Sequence, residues 1–207
     1  MNVECIKQHK IISIIRGYDT EDTLKIVERL YWAGIKLVEV TLNSPNALYS
    51  IKNLNEKYKD EMFIGAGTVL TSEECQKAID VGAKFIISPD TNAEVIQCTK
   101  SNKIISIPGA FTPSEVTFAI KMGADIVKVF PIAELGPGYI RNIRAPLDNV
   151  NLLPTGGIDA DNIRDYIDIG SIGVGVSSSI VKSDLEINEK NLNIIEENAK
   201  KLIGKLK

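Results

Sequence analysis

Histidine is almost missing from this chain: of 207 residues only His9 is one, and it lies in the opening segment before any strand-like run. Zinc sites and hydrolytic triads built on positioned imidazoles therefore find no residues here. Cysteine is equally sparse, with Cys5, Cys75 and Cys98 odd in number, far apart and free of any Cys-x-x-Cys spacing. That pattern predicts neither a disulfide framework nor a metal knuckle and points to a reducing compartment. No stretch approaches the roughly 18 uninterrupted apolar residues that a bilayer crossing requires, and the N-terminal segment has no apolar signal core. A cytoplasmic protein without a membrane partner is expected. Charge of one sign is also lacking: 24 basic against 27 acidic residues give a net charge of −3, too balanced to draw the chain to nucleic acid or to an anionic membrane.

What is present is a rhythm. Short β-branched runs alternate with longer amphipathic segments, and the junctions carry Gly, Pro, Ser, Thr or Asp. The strands read as Ile11–Ile15, Leu37–Thr41, Met62–Gly65, Phe85–Ser88, Ile104–Ile107, Ile126–Phe130, Leu152–Pro154 and Ile172–Val176. Helical patterns fall near Thr20–Ala33, Asn46–Lys57, Ser72–Val81, Asn92–Lys100, Pro113–Met122, Gly138–Ile143, Ala160–Ile169 and Glu189–Ile203. Gly34, Gly82 and Gly123 each stand where a helix must turn back toward the next strand. Eight βα units joined by right-handed crossovers predict a single α/β domain over residues 1–207 in the form of a (β/α)8 TIM barrel. The segment before Ile11 reads as a short helix covering one end of it. The alternative is an open, doubly wound sheet.

In a barrel the chemistry sits where strands end, so polar residues emerging from apolar strands are the candidates. Lys128 stands among Ile126, Val127, Val129 and Phe130. Burial there would disfavour the ammonium form and leave a nucleophilic amine able to form a Schiff base. The competing reading is a lysine whose stem covers apolar surface while its head reaches water. Glu39 shares a strand side with Leu37 and Thr41, and there it is either an acid–base group or half of an ion pair with Lys128 or Arg16. Arg16 could clamp a carboxylate, or simply sit beside Asp19 and Glu21. Thr68, after Gly65-Ala66-Gly67, offers a hydroxyl at a wall where small residues allow a substrate close. Thr155-Gly156-Gly157 and Ser177-Ser178-Ser179 follow the last two strands, where this architecture binds phosphate through backbone N–H groups, although a Gly-Gly pair is also a common turn.

Taken in order, Val38-Glu39-Val40-Thr41-Leu42, Gly65-Ala66-Gly67-Thr68, Ile87-Ser88-Pro89, Ile107-Pro108-Gly109, Lys128-Val129-Phe130-Pro131 and Leu153-Pro154-Thr155-Gly156-Gly157 closely resemble the 2-keto-3-deoxy-6-phosphogluconate (KDPG) and 4-hydroxy-2-oxoglutarate (KHG) aldolase family. The resemblance spans nearly the whole chain. It implies a class I aldolase, free of metal and cofactor, in which Lys128 forms the imine and Glu39 moves protons. It further implies that Thr68, Pro89 and Phe130 line a pyruvate pocket, while Gly156, Gly157 and Ser178 receive a phosphate. The implied partners are a phosphorylated keto-deoxy sugar acid, pyruvate and glyceraldehyde 3-phosphate, and the implied assembly is a homotrimer. KDPG cleavage is the expected activity, with the 6-phosphogalactonate epimer or 4-hydroxy-2-oxoglutarate as alternatives and an inert phosphosugar-binding barrel as a remoter one. One departure stands out. Many members of the family carry an arginine soon after the glutamate strand, where this chain has Asn43 in Leu42-Asn43-Ser44-Pro45, so carboxylate binding must rest more on Thr68 and Arg16.

Overall fold

Six parallel strands curl into one hydrogen-bonded sheet in the computed structural model, which describes residues 1–207. They are β1 (Ile11–Ile15), β2 (Leu37–Thr41), β3 (Phe63–Gly67), β4 (Phe85–Ile87), β5 (Ile105–Ile107) and β9 (Val174–Val176), in the order β5-β4-β3-β2-β1-β9. A second sheet of three strands, β6 (Gly109–Ala110), β7 (Val127–Val129) and β8 (Leu152–Pro154), runs in the order β6-β7-β8. Helices α1 (Val3–His9), α2 (Thr20–Ala33), α3 (Ala47–Tyr58), α4 (Ser72–Asp80), α5 (Ala93–Ser101), α6 (Pro113–Lys121), α7 (Gly136–Arg144), α8 (Ile163–Asp168) and α9 (Glu189–Gly204) complete the chain.

The expected single eight-stranded ladder is thus replaced by a curled half-barrel and a smaller sheet. The break has a local cause. Pro108 interrupts the run Ile105–Ala110 because it has no N–H to give to a ladder, so β5 pairs with β4 while β6 pairs with β7. Hydrogen bonds nevertheless cross both seams. Ile126 N–H donates to Ser106 C=O at 3.3 Å and Lys128 N–H to Pro108 C=O at 2.9 Å. On the other side Ile172 N–H donates to Leu152 C=O at 3.2 Å, and Thr155 bridges Gly175 in parallel.

Strand alternation separates two cores. Ile12, Leu37, Phe85, Ile87, Ile105, Ile107, Ile126 and Leu153 point one way and gather with Ile6 of α1 in a cluster of nine buried side chains. As expected, the N-terminal helix closes one end of this inner core, since Ile6 is fully buried in it. The residues of opposite parity, such as Val38, Val40, Ile64, Val127 and Val129, face the helices in a larger cluster. Helix starts follow the sequence signals: Thr71 with Glu74 and Thr112 with Glu115 form reciprocal capping boxes at α4 and α6. Gly34, Gly82 and Gly123 adopt left-handed φ of 100°, 96° and 100°, as a reversal after a helix demands.

Boundaries shift where local sequence was ambiguous. β3 runs two residues past the expected Gly65 and takes in Gly67, and α7 begins at Gly136 with Pro137 in its first turn. α8 starts only at Ile163, because Asp159 Oδ1 accepts the N–H groups of Asp161 and Asn162 and holds the preceding residues as a turn. No helix is long and apolar enough to cross a membrane.

Candidate active site

Lys128 and Glu39 face the same interior from different sheets. Glu39 lies between Ile14 of β1 and Gly65 of β3, and Lys128 between Gly109 of β6 and Leu153 of β8. Both share the parity of the inner core and continue it toward the strand ends, Lys128 above Ile126 and Glu39 above Leu37. Their burial is nearly complete, at 4% exposure for Lys128 and 1% for Glu39. The surface-lysine alternative therefore does not describe Lys128.

Nor does the ion-pair alternative describe Glu39, because neither residue enters a salt bridge. Both carboxylate oxygens of Glu39 are buried without a hydrogen-bond partner. A buried carboxylate left so costs several kcal/mol, and titration is the usual escape. Desolvation pushes the Glu39 carboxyl above its ordinary range, and the positive fields of Lys128 and Arg16 only partly oppose it. Desolvation likewise holds the Lys128 amine below the ordinary lysine range, opposed by Glu39 and reinforced by Arg16. Both effects favour the uncharged forms. Phe130 adds a face to the amine, with Nζ 4.8 Å from its ring centroid. The Phe130–Pro131 peptide is cis.

A cavity of about 300 Å³ opens above these groups and is lined by Ile14, Arg16, Lys128, Phe130, Thr155, Gly156, Gly157, Ile158, Gly175, Ser177 and Ser178. Seven of the ten sequence candidates thus meet in one cleft. Thr68 joins through Arg16, whose Nη2 donates to Thr68 Oγ1 at 3.4 Å, and it holds a left-handed φ of 57° that few branched residues adopt. Arg16 makes no ion pair with Asp19 or Glu21; Glu21 is engaged by Lys25 at 2.6 Å. Glu39 and Pro89 do not line the cleft. Glu39 reaches it through the field it exerts on Lys128, and the backbone of Pro89 packs against Gly109, the register partner of Lys128.

The far end of the cleft is built from backbone. Gly156 and Gly157 have φ of 107° and 66°, and a side chain on Gly157 would come within 2.7 Å of Ala133 Cβ. Only glycine fits this turn without strain. The loop is pinned where Asn162 Nδ2 donates to Gly157 C=O at 2.9 Å and Ser179 Oγ donates to Ile158 C=O at 2.7 Å. Of the serine run, Ser177 and Ser178 face the cleft while Ser179 is structural. A second hollow of about 500 Å³, bordered by Ser44, Tyr49, Glu74 and Lys77, is larger. Lys77 there is engaged by Glu73 at 2.7 Å, and no buried titratable group faces it, so it lacks the chemistry of the first.

One residue of the site, Gly175, escaped the sequence reading, and two others, Ser177 and Gly67, were read only as parts of longer motifs. Gly175 leaves room for Thr155, whose Oγ1 a Cβ at that position would overlap. Ser177 was visible only as part of a run. The third is Gly67. The small residues of β3 were expected to let a substrate approach, but their space is already taken: a Cβ on Gly65 would strike the Phe85 ring, and one on Gly67 would overlap Glu39 Oε1. Gly67 is the seat of the carboxyl group. Gly67→Ala is accordingly expected to cost about 1–3 kcal/mol, the range for overpacking a filled interior. Urea unfolding checks this, and an unchanged midpoint would mean that the carboxyl moves aside freely.

A family model described as KDPG and KHG aldolase matches residues 3–197. A probable 2-dehydro-3-deoxy-6-phosphogalactonate aldolase of Rhizobium meliloti is 33% identical over 88% of this chain and 86% of its own length. A 2-dehydro-3-deoxy-phosphogluconate aldolase of Haemophilus influenzae is 32% identical over 82% of this chain and 80% of its own. The crystal structure of KDPG aldolase from Legionella pneumophila, with pyruvate captured as a covalent carbinolamine, superposes with a TM-score of 0.88 at 29% identity, covering 98% of each chain.

Proposed function

Because this chain belongs to the KDPG and KHG aldolase family, and is therefore a carbon–carbon lyase, we propose that it cleaves a 2-keto-3-deoxy-6-phospho sugar acid, KDPG, through an imine on Lys128. The observation that carries this reading is a buried amine that lines the cleft and a buried, unpartnered carboxyl whose field reaches that amine without pairing with it. A structural ion pair would have closed the gap, and an inert binding site has no use for two desolvated titratable groups.

The neutral amine of Lys128 attacks the C2 carbonyl to give a carbinolamine. Glu39, protonated because it is buried, gives its proton to the leaving hydroxyl, so water departs and a cationic imine forms. The new positive charge beside Glu39 now favours its carboxylate form. That carboxylate takes the C4 hydroxyl proton, the C3–C4 bond breaks, and its electron pair flows into the imine to leave an enamine. Glyceraldehyde 3-phosphate is released, Glu39 returns its proton to C3, and hydrolysis frees pyruvate and the amine. Arg16 with Thr68 holds the carboxylate of the substrate, and Phe130 forms the apolar side of the pyruvate pocket, with Pro89 behind it. Gly156, Gly157 and Ser178 receive the phosphate, so remote binding energy orients the scissile bond. Thr155 forms part of the cleft wall next to this loop, its hydroxyl donating to Leu153 C=O at 3.4 Å.

The galactonate epimer is the second reading, favoured by the 33% identity to the Rhizobium protein. The epimers differ at one hydroxyl-bearing carbon, so a single hydrogen bond separates them. Pyruvate release from KDPG, its galactonate epimer, 4-hydroxy-2-oxoglutarate and the unphosphorylated acids decides the matter. Preference for an unphosphorylated acid would remove the phosphate site from the proposal.

We extend the proposal to a closed (β/α)8 barrel, a single domain, a homotrimer and a cytoplasmic setting. The bonds across both seams support closure, and the three free cysteines suit a reducing compartment. Phe118 and Ile120 of α6, left in water at 43% and 38% exposure, support association; sedimentation at about three times the chain mass checks it.

The pH profile follows from the fields on Lys128. Free enzyme reacts through the neutral amine, so kcat/KM rises with pH as the ammonium form is lost, below the ordinary lysine range. Arg16 disfavours the ammonium and Glu39 favours it. Arg16→Gln should therefore move the acid limb to higher pH, whereas Glu39→Gln, which replaces a carboxyl already uncharged in the free enzyme, should leave it in place. A limb that Arg16→Gln does not move, or moves to lower pH, would mean that it reports another group.

A further inference from the structure

Resting on the reading of Arg16 as the carboxylate clamp, we propose that Ser44 and Thr41 are positioning residues, which set Arg16 by holding the backbone on both sides of it. Ser44 Oγ accepts the N–H of Gly17 at 2.8 Å and lies 3.0 Å from Thr41 Oγ1. Thr41 Oγ1 donates to the C=O of Ile15 at 3.3 Å. A hydroxyl has one hydrogen, which fixes the direction of the relay. Thr41 gives its proton to Ile15, Ser44 gives its own to Thr41, and a lone pair of Ser44 takes the Gly17 N–H. The relay leaves the first strand segment at Gly17, crosses two side chains at the end of β2, and returns at Ile15. Those are the two neighbours of Arg16.

Burial makes the relay stiff. Thr41 is fully buried and Ser44 is 8% exposed, so a broken bond is not readily replaced by water. The surrounding backbone is held as well. Ser44 N–H donates to Thr41 C=O at 3.0 Å and Leu42 N–H to Gly67 C=O at 2.8 Å, which ties this turn to the end of β3. From there Thr68 accepts the far end of the guanidinium at 3.4 Å. Arg16, the only guanidinium lining the cleft, is thus held at its backbone by the β2 turn and at its tip by a part-buried bond to Thr68 at the β3 end.

A carboxylate clamp acts on bound substrate and transition state alike, so loosening it raises KM and spares kcat. Steady-state kinetics of pyruvate release is expected to show KM raised about 5- to 20-fold in Ser44→Ala and in Thr41→Val, with kcat held within about threefold. Ser44→Thr, which keeps the hydroxyl, should restore most of the loss. In an Arg16→Ala background, Ser44→Ala should add little, because the group it positions is gone. Should Ser44→Ala not fold, the isosteric Thr41→Val carries the same test. An unchanged KM in Thr41→Val, or a full additional factor from Ser44→Ala on top of Arg16→Ala, overturns the relay. Borohydride trapping with pyruvate separates this from the lyase chemistry. A wild type that fails to label at Lys128 sinks the imine itself, whereas labelling with an unchanged KM sinks only the relay.

Discussion

Lys128→Ala is expected to lose pyruvate release by roughly 10⁴-fold or more, because the cleft holds no other amine that could serve as a covalent electron sink. Survival of more than a small fraction of the rate would end the imine reading. The loss should not come from misfolding, and a second variant tests that directly. In the folded state desolvation holds the Lys128 amine below its ordinary value of 10.5, so at neutral pH burying this amine costs the folded state stability that the unfolded chain, whose ammonium stays in water, does not lose. Lys128→Met keeps the volume and removes the desolvated amine. It should therefore unfold at a higher urea concentration than wild type while being as inactive as the alanine variant, the usual sign of a residue kept for chemistry against stability. Borohydride with pyruvate should add mass to the wild-type peptide containing Lys128 and to neither variant.

Glu39→Gln is the other large effect. Loss of the proton carrier should slow turnover by roughly 10² to 10⁴ while leaving the amine free to form a pyruvate adduct, so trapping should persist in a nearly inactive protein. A wild-type rate would mean that another base acts. The same substitution has a stability signature whose sign follows from the raised carboxyl. The folded state binds this proton more tightly than the unfolded chain does, so wild-type stability is intact below the ordinary value of 4.5 and falls as pH rises toward the folded value. Glutamine does not titrate. The variant should match wild type in acid and become the more stable of the two as pH rises through that window, seen as a widening gap in urea midpoints.

Much of the frame was legible because it rests on local rules. Period-2 alternation put Leu37, Glu39 and Thr41 on one side and Val38 and Val40 on the other, and the two cores divide along that line. Glycines after helical patterns turned out left-handed, and an apolar run around one lysine meant a desolvated amine. Other features depend on partners distant in sequence. Whether Glu39 pairs with Lys128 or stands apart is a matter of ångströms between two sheets, and alternation only says that they face each other. Gly67 reads as open wall until the carboxyl is seen lying on it. Pro89 belongs to a shared motif but touches the site through Gly109, because its strand ends before the cleft.

Composition and pattern by themselves determined the βα alternation, the parity of the strand that carries Glu39 and the residue types that converge at the strand ends, because each follows from the geometry of a few consecutive residues. Tertiary structure alone decided that amine and carboxyl remain unpaired, and that two hydroxyls, one ending β2 and one in the turn after it, grip the backbone around Arg16. Those outcomes are set by distances between segments tens of residues apart, which no local propensity encodes.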